Sequence, residues 1–332
     1  MAEARVPESF RWITEADVCS LIDLQGSIEA LEKGLALEAE GRAQNMPKTQ
    51  TVWAHGSLNV TGAQFLGDQL AGAKVWTNAR GGAAPLLILH SSEDGRIVAI
   101  VEAFALGQMR TAALSSVATR WSALEDAEEM AILGSGHQAL PQVAAVAQVR
   151  KLKRVRVWSR TPANRDAFVR QVRETFDFEV VACDSVAEAA KNCPIITTFT
   201  RSAEPFLTAD MVSRGTHINA GGAIIPTHAE IAPDVFRRCD ALICDNREQV
   251  QKGSRELIEY VSNGGSWDRV IPICNLVKER KRRPPGADIT LYKFMGMGLA
   301  DMASAVEIYK RAKAREVGRE HPYPRRSKPR LA

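Results

Sequence analysis

The chain has 332 residues, of which 45% are hydrophobic and 25% charged, a size and composition typical of a globular protein with about two domains. The sequence contains no run of about 18 apolar residues, so we expect no membrane span. The opening MAEARVPESF lacks the layout of a secretory signal, so we expect a cytoplasmic protein. The net charge of +4 is concentrated in two clusters, KERKRR at 278–283 and RRSKPR at 325–330. The second cluster lies in a Pro-rich tail that we expect to be disordered. Because neither cluster contains aromatic residues, we interpret both as solvated charge and expect no nucleic-acid partner.

The first hundred residues predict two helices followed by a sheet. Thr14 to Asp17 has capping-box spacing, which predicts that a short helix begins there. A second helix is predicted over 27–40 from its apolar period. Between 51 and 103 the pattern changes to short apolar runs such as AKVW, PLLILH and RIVAIVEA, with turns at Gly81-Gly82 and Asp94-Gly95. These runs predict strands.

A helix rich in small residues is predicted from Arg110 to Ala123, and beyond residue 126 the chain alternates between strands and helices. The predicted strands are MAIL, VRVW, FEVVA, PIITTF, THINA and ALICD. This alternation is typical of a parallel sheet with helices on both faces. The later segment DITLYKF and the helix predicted over 298–314 need not belong to that sheet, and can return to pack on the first domain.

The sequence Gly134-Ser135-Gly136-His137-Gln138-Ala139 fits the pattern GxGxxA between a buried strand and a helix. In a dinucleotide-binding turn, the first glycine allows the tight turn and the second lets the pyrophosphate approach the backbone at the helix N-terminus. The context therefore predicts a dinucleotide site. The alternative is a glycine-rich turn that binds nothing.

The end of the second strand distinguishes the two nicotinamide cofactors. A carboxylate there would bind the ribose 2′-hydroxyl of NAD, whereas an Arg accommodates the 2′-phosphate of NADP. The chain has Arg160 at this point and no carboxylate before Asp166, which favours NADP(H) over NAD(H). Stacking of Arg160 on the adenine is the alternative.

Arg110 begins the predicted helix that precedes the nucleotide-binding segment. A guanidinium at a helix N-terminus suits a carboxylate or phosphate, because it binds bidentately and the helix dipole adds to the attraction. A surface Arg without a ligand is the alternative.

The six cysteines form no CxxC pair and no Cys/His ligand spacing, so we predict neither a disulfide framework nor a metal site. We interpret them as buried thiols.

Five segments, in this order, resemble the ornithine cyclodeaminase/mu-crystallin family: GQMRTAALSSVA, LGSGHQA, VWSRT, GTHINAGGA and LYKFMGMGLADMASAVEIY. With weaker similarity around MPKTQ and GAKVW, the resemblance extends over about 14–314. It implies an α/β fold, with a Rossmann-type doubly wound parallel sheet over 123–299. That sheet would be inserted into an α+β substrate-binding and dimerisation domain of residues 1–122 plus 300–332, and the resemblance also implies a homodimer.

Members of this family move hydride between a nicotinamide and the α-carbon of an amino or imino acid. The resemblance implies that Arg110 binds the substrate carboxylate, that Lys74 is the active-site lysine and that Lys48 is a second basic residue. Many members have Arg at the position of Lys48, and Lys lacks the bidentate fork. Lys74 as a surface lysine after a turn, and Asp301 as a purely structural helix residue, are the alternatives.

The resemblance also places cofactor contacts at Thr111, Thr198 and Thr200, although threonine is an ordinary residue of strands. Together with the turn and the second strand, the expected cofactor-binding residues are Thr111, Gly134, Gly136, His137, Gln138, Ser159, Arg160, Thr161, Thr198 and Thr200.

Three residues depart from or modify the family pattern. Ile224 stands where cyclodeaminases have an Asp that takes a proton during deamination, which argues against cyclodeamination of ornithine. Phe294 replaces a common Ser beside the nicotinamide and predicts a tighter, more apolar pocket. His228 falls near a frequent basic residue, and either an acid or cofactor contact or a structural role is open to it.

We therefore predict an NAD(P)H-dependent oxidoreductase that reduces imino acids, specifically cyclic ketimines such as pyrroline- or piperideine-2-carboxylate. An amino-acid dehydrogenase or an ornithine cyclodeaminase is one alternative. A non-catalytic, NADPH-dependent binding protein for a small carboxylate ligand is the other.

Overall fold

The computed structural model describes residues 9–325 and 327–331, so most of MAEARVPESF and Arg326 of RRSKPR lie outside the described residues. The strands are β1 Ser9–Ile13, β2 Ala43–Trp53, β3 Gly56–Phe65, β4 Leu70–Asn78, β5 Leu86–Ser91, β6 Ile97–Glu102, β7 Glu129–Leu133, β8 Arg154–Trp158, β9 Glu179–Ala182, β10 Ile195–Thr198, β11 His217–Ala220, β12 Cys239–Cys244, β13 Val270–Pro272, β14 Ile289–Lys293 and β15 Arg319–Pro322. The helices are α1 Glu15–Leu21, α2 Leu24–Ala39, α3 Phe104–Ser122, α4 Ala139–Ala147, α5 Pro162–Thr175, α6 Val186–Ala190, α7 Pro233–Arg238, α8 Arg247–Gly253, α9 Arg255–Ser262, α10 Ile273–Glu279 and α11 Gly298–Arg315.

The first sheet has seven strands in the order β15-β1-β6-β5-β4-β3-β2. Its central pairs are antiparallel, and β1 joins β6 in parallel. The capping box at Thr14 and the turns at Gly82 and Gly95, both with positive φ, confirm the predictions for this region. The sheet also contains β1 and β15, which were not predicted, and its run of strands β2 to β6 begins at Ala43 rather than at Thr51, because the polar run AQNMPKTQ forms most of β2 without an apolar alternation.

The second sheet has eight parallel strands in the order β13-β12-β14-β11-β10-β7-β8-β9, and it confirms the predicted Rossmann-type fold. The option that DITLYKF lies outside this sheet is wrong. Strand β14 lies between β11 and β12, and all five of its residues are buried. A continuous buried strand is typical of the interior of a parallel sheet, which periodicity alone does not distinguish from other buried segments.

Helix α11 crosses the seven-stranded sheet, as the sequence predicted for the end of the chain. A Cβ built at Gly298 would lie 2.2 Å from the Gly62 nitrogen on β3, and a Cβ at Gly62 would lie 2.3 Å from the Gly72 oxygen on β4. Only glycines permit this approach. The first turn of α11 is therefore held directly against β3, whose backbone lies equally close to β4 at Gly62.

Helix α3 begins at Phe104, six residues before the predicted start at Arg110. Its N-terminus has no local side-chain cap; the Glu15 carboxylate accepts hydrogen bonds from the Phe104 nitrogen (2.6 Å) and the Ala105 nitrogen (2.9 Å). The prediction that Arg110 lies at a helix N-terminus, where the dipole assists it, is therefore wrong. Because Glu15, which is distant in sequence, caps the helix at Phe104, the helix begins earlier than predicted and Arg110 lies in its second turn.

The interpretation of KERKRR as solvated charge is wrong for Arg283. Its guanidinium donates to the Ser122 oxygen (3.1 Å), the Thr216 oxygen (3.3 Å) and the Thr290 hydroxyl (2.9 Å). It also donates to the oxygens of Ala287 and Asp288. Arg283 thus ties the end of α3 to the eight-stranded sheet.

The described cysteines are free thiols, of which Cys19 is exposed and the other five are buried. The residues that the structure describes contain no cluster of three or more His, Cys, Asp or Glu able to hold a metal ion. Within the same ranges, no helix is long and apolar enough to cross a membrane.

Candidate active site

A cavity of about 700 Å³ lies between the two sheets, where β7, β8, β10 and β11 end. A volume of this size suits a small organic ligand or cofactor. Among the predicted site residues, those lining the cavity are Lys48, Arg110, Thr111, Gly134, Gly136, His137, Gln138, Ser159, Arg160, Thr161 and Thr200. Lys74 and Thr198 are buried and are not among the described lining residues, and the Lys74 Nζ lies 4.7 Å from the ring centre of Trp76, which does line the cavity.

The glycine turn has the geometry that a pyrophosphate requires. Gly134 has φ of +119°, and a Cβ there would lie 2.6 Å from the Phe199 oxygen, so no other residue fits. A Cβ at Gly136 would meet nothing within 4 Å, so its backbone is open to the cavity. The buried Oε1 of Gln138 has no hydrogen-bond partner within the described structure. These residues fit a dinucleotide at the start of α4.

The far end of the cavity, beyond β8, is cationic. Arg160 is exposed at its edge, next to Ser159, whose hydroxyl accepts a hydrogen bond from the Ser135 hydroxyl (2.9 Å). Arg201, which the sequence analysis missed, lines the same cavity. None of the described lining residues is Asp or Glu. This end is therefore suited to a negatively charged group.

At the opposite end, Asp301 joins two cations from different elements. Its Oδ1 lies 2.5 Å from the Lys74 Nζ and 3.0 Å from the Arg110 Nε. Its Oδ2 accepts a long hydrogen bond of 3.4 Å from the Thr61 hydroxyl. Thr61 and Lys74 are cross-strand partners on β3 and β4, and the close crossing of α11 brings the Asp301 carboxylate down to them. Asp301 thus connects Lys74 to Arg110.

The surroundings of Lys74 change its acidity. Burial is the main cause that lowers the pKa of Lys74 to about 8; the charges of Arg110 and Lys48 contribute to this shift, and Asp301 opposes it. The ammonium lies 4.7 Å from the centre of the Trp76 ring. A lysine with a pKa near 8 exchanges a proton readily at physiological pH, which an ordinary surface lysine does not. The alternative of a surface lysine is wrong, because Lys74 is only 4% exposed.

Arg110 has donors that no protein group satisfies. Its Nε and Nη1 are buried without hydrogen bonds within the described structure, since the Nε is close to Asp301 but not oriented toward it as a hydrogen-bond donor. Lys48 lies nearby, and burial followed by the Arg110 charge lowers the pKa of its ammonium. Buried unsatisfied donors are costly. The pair is therefore arranged to receive an anion from the cavity.

The predicted threonines differ in what their hydroxyls contact. The Thr111 hydroxyl donates to the Gly107 oxygen in its own helix (2.7 Å). The hydroxyls of Thr198 (2.8 Å) and Thr200 (2.7 Å) donate to the buried carboxylate of Glu230. These hydroxyls are engaged within the protein, so Thr198 in particular acts behind the cavity wall.

The three departures from the family pattern also have definite places. Ile224 lines the cavity and is 36% exposed. Phe294 lines it as well, with its ring 6.1 Å from that of Phe199. His228 is half-buried beside the Thr227 hydroxyl (3.0 Å) and is not among the described lining residues. The apolar wall predicted from Phe294 is present.

The sequence analysis missed Trp76 and Thr61 in the cavity wall and a buried group of Glu230, Glu256 and Lys293 behind it. One signal was available for Lys293, which is the single charge in the apolar run ITLYKF. A lysine in a buried strand requires a partner. Its partners Glu230 and Glu256 lie on separate segments, so spacing gave no sign of them.

The model of the ornithine cyclodeaminase/mu-crystallin family matches residues 11–316. The alanine dehydrogenase of Archaeoglobus fulgidus is 29% identical over 92% of this chain and 96% of its own length. A Delta(1)-pyrroline-2-carboxylate reductase of Bacillus cereus is 27% identical over 70% of this chain and 72% of its own. Among solved structures, an archaeal alanine dehydrogenase dimer with bound NAD superposes with a TM-score of 0.87 at 26% identity, covering 94% of this chain and 99% of that one.

Proposed function

The chain belongs to the ornithine cyclodeaminase/mu-crystallin family, and from this premise we propose that it is an NAD(P)H-dependent reductase of cyclic ketimines such as pyrroline- or piperideine-2-carboxylate. The observation that carries the proposal is the junction of Lys74, Asp301 and Arg110 beside a cavity with a dinucleotide-binding turn. A B. cereus relative named as a pyrroline-2-carboxylate reductase supports the substrate class.

Arg110 and Lys48 bind the substrate carboxylate. The Nη1 of Arg110 supplies an unsatisfied donor, and the carboxylate restores the hydrogen bond that burial otherwise denies it, while the Nε lies 3.0 Å from Asp301. Lys48 adds a second positive charge without the fork of an Arg. Fixing the carboxylate orients the adjacent C=N bond toward Lys74.

When bound, a reduced nicotinamide supplies the hydride that the C=N carbon accepts. Lys74 donates a proton from its Nζ to the imine nitrogen, so that the product amino acid has gained one hydride and one proton. Asp301 holds the ammonium in place and, by its negative charge, keeps Lys74 protonated despite burial. Phe294 and Ile224 provide an apolar wall that keeps water from the reacting carbon.

Ile224 argues against the cyclodeaminase alternative, because an aliphatic side chain cannot take the proton that deamination releases. The dehydrogenase alternative runs the same chemistry in reverse and requires neutral Lys74 as the base. One relative is named an alanine dehydrogenase, so the oxidation of amino acids is the second candidate. Oxidation of the amino acid is favoured at a pH above the pKa of Lys74, which is about 8, because Lys74 is then neutral.

NADP(H) is the proposed cofactor, with NAD(H) as the alternative. The 2′-phosphate would lie among Arg160, Arg201 and Ser159, at the end of the cavity whose described lining residues include no carboxylate. Gly134 and Gly136 would receive the pyrophosphate, with Gln138 beside it. The remaining expected cofactor contacts are Thr111, His137, Thr161 and Thr200. Thr198, which is buried and donates to Glu230, would act on the cofactor only through the wall.

The chain is also proposed to be a cytoplasmic homodimer. Residues 1–122 with 300–332 would form the substrate-binding and dimerisation domain, and 123–299 the nucleotide-binding domain. The outer face of the first sheet, opposite Lys74, carries Leu58, Val75 and Leu86, which are 41%, 37% and 37% exposed. Adjacent exposed apolar side chains on a sheet suit a protein interface.

The proposal is tested by following nicotinamide absorbance with NADPH or NADH against cyclic ketimines, open-chain imino acids, and ornithine or alanine with NAD. We expect oxidation of the reduced cofactor with a cyclic ketimine, and loss of that rate in Arg110→Ala with an unchanged circular dichroism spectrum. Arg96→Ala, which removes an exposed guanidinium, is the matched control. Turnover with ornithine alone would contradict the proposal, and ligand-induced stabilisation without turnover would favour the non-catalytic binding protein.

A further inference from the structure

Behind the cavity, one buried carboxylate receives donors from two separate segments. The Oε1 of Glu230 accepts from the Thr200 nitrogen (2.6 Å) and hydroxyl (2.7 Å). Its Oε2 accepts from the Thr198 hydroxyl (2.8 Å), the Gly222 nitrogen (2.8 Å) and the Ala223 nitrogen (3.2 Å). Glu230 is 0% exposed. It therefore joins the end of β10 to the loop after β11.

Glu230 is itself held by a second buried group. The Glu256 carboxylate accepts from the nitrogens of Glu230 (2.7 Å) and Ile231 (2.9 Å), and it forms an ion pair with Lys293. Lys293 donates to the Ala223 oxygen (2.8 Å). The peptide of Ala223 is therefore held at its nitrogen by Glu230 and at its oxygen by Lys293. Glu230, Glu256 and Lys293 thus form one connected hydrogen-bond network that holds the loop after β11.

The packing at this loop leaves no room for a side chain at either of its two glycines. A Cβ at Gly222 would lie 2.2 Å from the Thr200 oxygen and 2.4 Å from the Glu230 Oε1, and one at Gly221 would lie 2.2 Å from the Phe199 ring. Phe199, Thr200, Gly221 and Gly222 all line the cavity. Because the nitrogens of Thr200 and Gly222 are turned toward Glu230, one carboxylate fixes the backbone of this part of the wall.

We propose that Glu230 is a positioning residue for the nicotinamide half of the cofactor, holding residues 199–202 and 221–224 together as one rigid wall. The inference rests on the proposed dinucleotide site. In a doubly wound sheet the dinucleotide lies across the carboxyl ends of the strands, with one half over β7 and β8 and the other over β10 and β11. The wall set by Glu230 belongs to the second half, whereas Gly134, Gly136 and Arg160 belong to the first.

The test compares two ligands in Glu230→Gln, which keeps the shape of the side chain but gives it an amide that can accept only at one atom. We expect the Kd for NADPH, measured by calorimetry at low temperature, to rise about tenfold or more, since one set of hydrogen bonds is lost and the other is no longer charge-assisted. The Kd for adenosine 2′,5′-bisphosphate, which lacks the nicotinamide half, should stay within about twofold of the wild type. Hydrogen exchange should rise at 199–202 and 221–224 but not at 130–136.

Asp288→Asn is the matched control, because Asp288 immediately precedes β14 and its carboxylate binds Arg238 (2.8 Å) away from the cavity. It should lower the melting temperature without changing either Kd. If Glu230→Gln fails to fold, Thr198→Val removes one donor to Glu230 behind the wall, and should raise the Kd for NADPH about threefold. Equal weakening of both ligands, or of neither, would overturn the inference. Absence of NADPH and NADH binding by the wild type would instead overturn the proposed function.

Discussion

Asp301→Asn should move the pH dependence of catalysis, because the Asp301 charge opposes the burial that lowers the pKa of Lys74 to about 8. The proposed reduction requires Lys74 protonated, a form that is lost as the pH rises through this pKa. An opposite charge at such a distance is worth roughly one to three pKa units, so its removal should lower the pKa of Lys74 by about two. At pH about 7.5 the protonated fraction would fall from about three-quarters to about 3%, a loss of roughly 25-fold in rate.

The assay is kcat/KM for ketimine reduction over a pH series, which reports the ionisation of the free enzyme. In the wild type we expect kcat/KM to fall above about pH 8. In Asp301→Asn this decline should begin about two pH units lower, and most of the activity should return when the pH is lowered. Regained activity in acid separates a changed pKa from a damaged site. A falling limb that stays near pH 8 in Asp301→Asn would refute the assignment of Lys74 as the proton donor.

Three further substitutions test separate parts of the site. Arg110→Lys keeps the charge but loses the fork, and steady-state kinetics should show KM for the ketimine raised about tenfold or more; an unchanged KM would contradict the role of Arg110 in binding the carboxylate. Arg160→Ala should raise the Kd for NADPH about tenfold and leave that for NADH within about twofold, measured by fluorescence titration; equal effects would mean that Arg160 does not meet the 2′-phosphate. Gly134→Ala places a methyl group 2.6 Å from the Phe199 oxygen, on a residue whose φ is +119°. The melting temperature should therefore fall by several degrees, which corresponds to a loss of about 1–3 kcal/mol in the free energy of unfolding, and a wild-type melting temperature would refute this geometry.

Local patterns were enough to predict the nucleotide-binding turn and the strands β7 to β12, but not the helices α7 to α10 or the strand β13. The glycines at 134 and 136, the apolar runs of the parallel strands and the helix after Pro162 each depend on neighbours within a few residues, and the structure has them where the sequence placed them. The same is true of the capping box at Thr14.

The errors arose where a distant residue decides the structure. Helix α3 begins at Phe104 because Glu15 caps it, and no pattern near residue 104 reveals this. The role of Asp301 depends on the glycine contact between α11 and β3, which brings its carboxylate to Lys74. Strand β14 enters the middle of the second sheet through pairing with β11 and β12, which periodicity does not specify. Such features require the tertiary structure.

The most direct test of the central claim is to follow the transferred hydrogen. NADPH with deuterium at both C4 positions of the nicotinamide would be incubated with the enzyme and pyrroline-2-carboxylate, and the product examined by mass spectrometry and NMR. We expect proline with one deuterium on its α-carbon, together with loss of this product in Arg110→Ala. Cofactor oxidation without deuterium in proline, or no reaction with any cyclic ketimine, would contradict it.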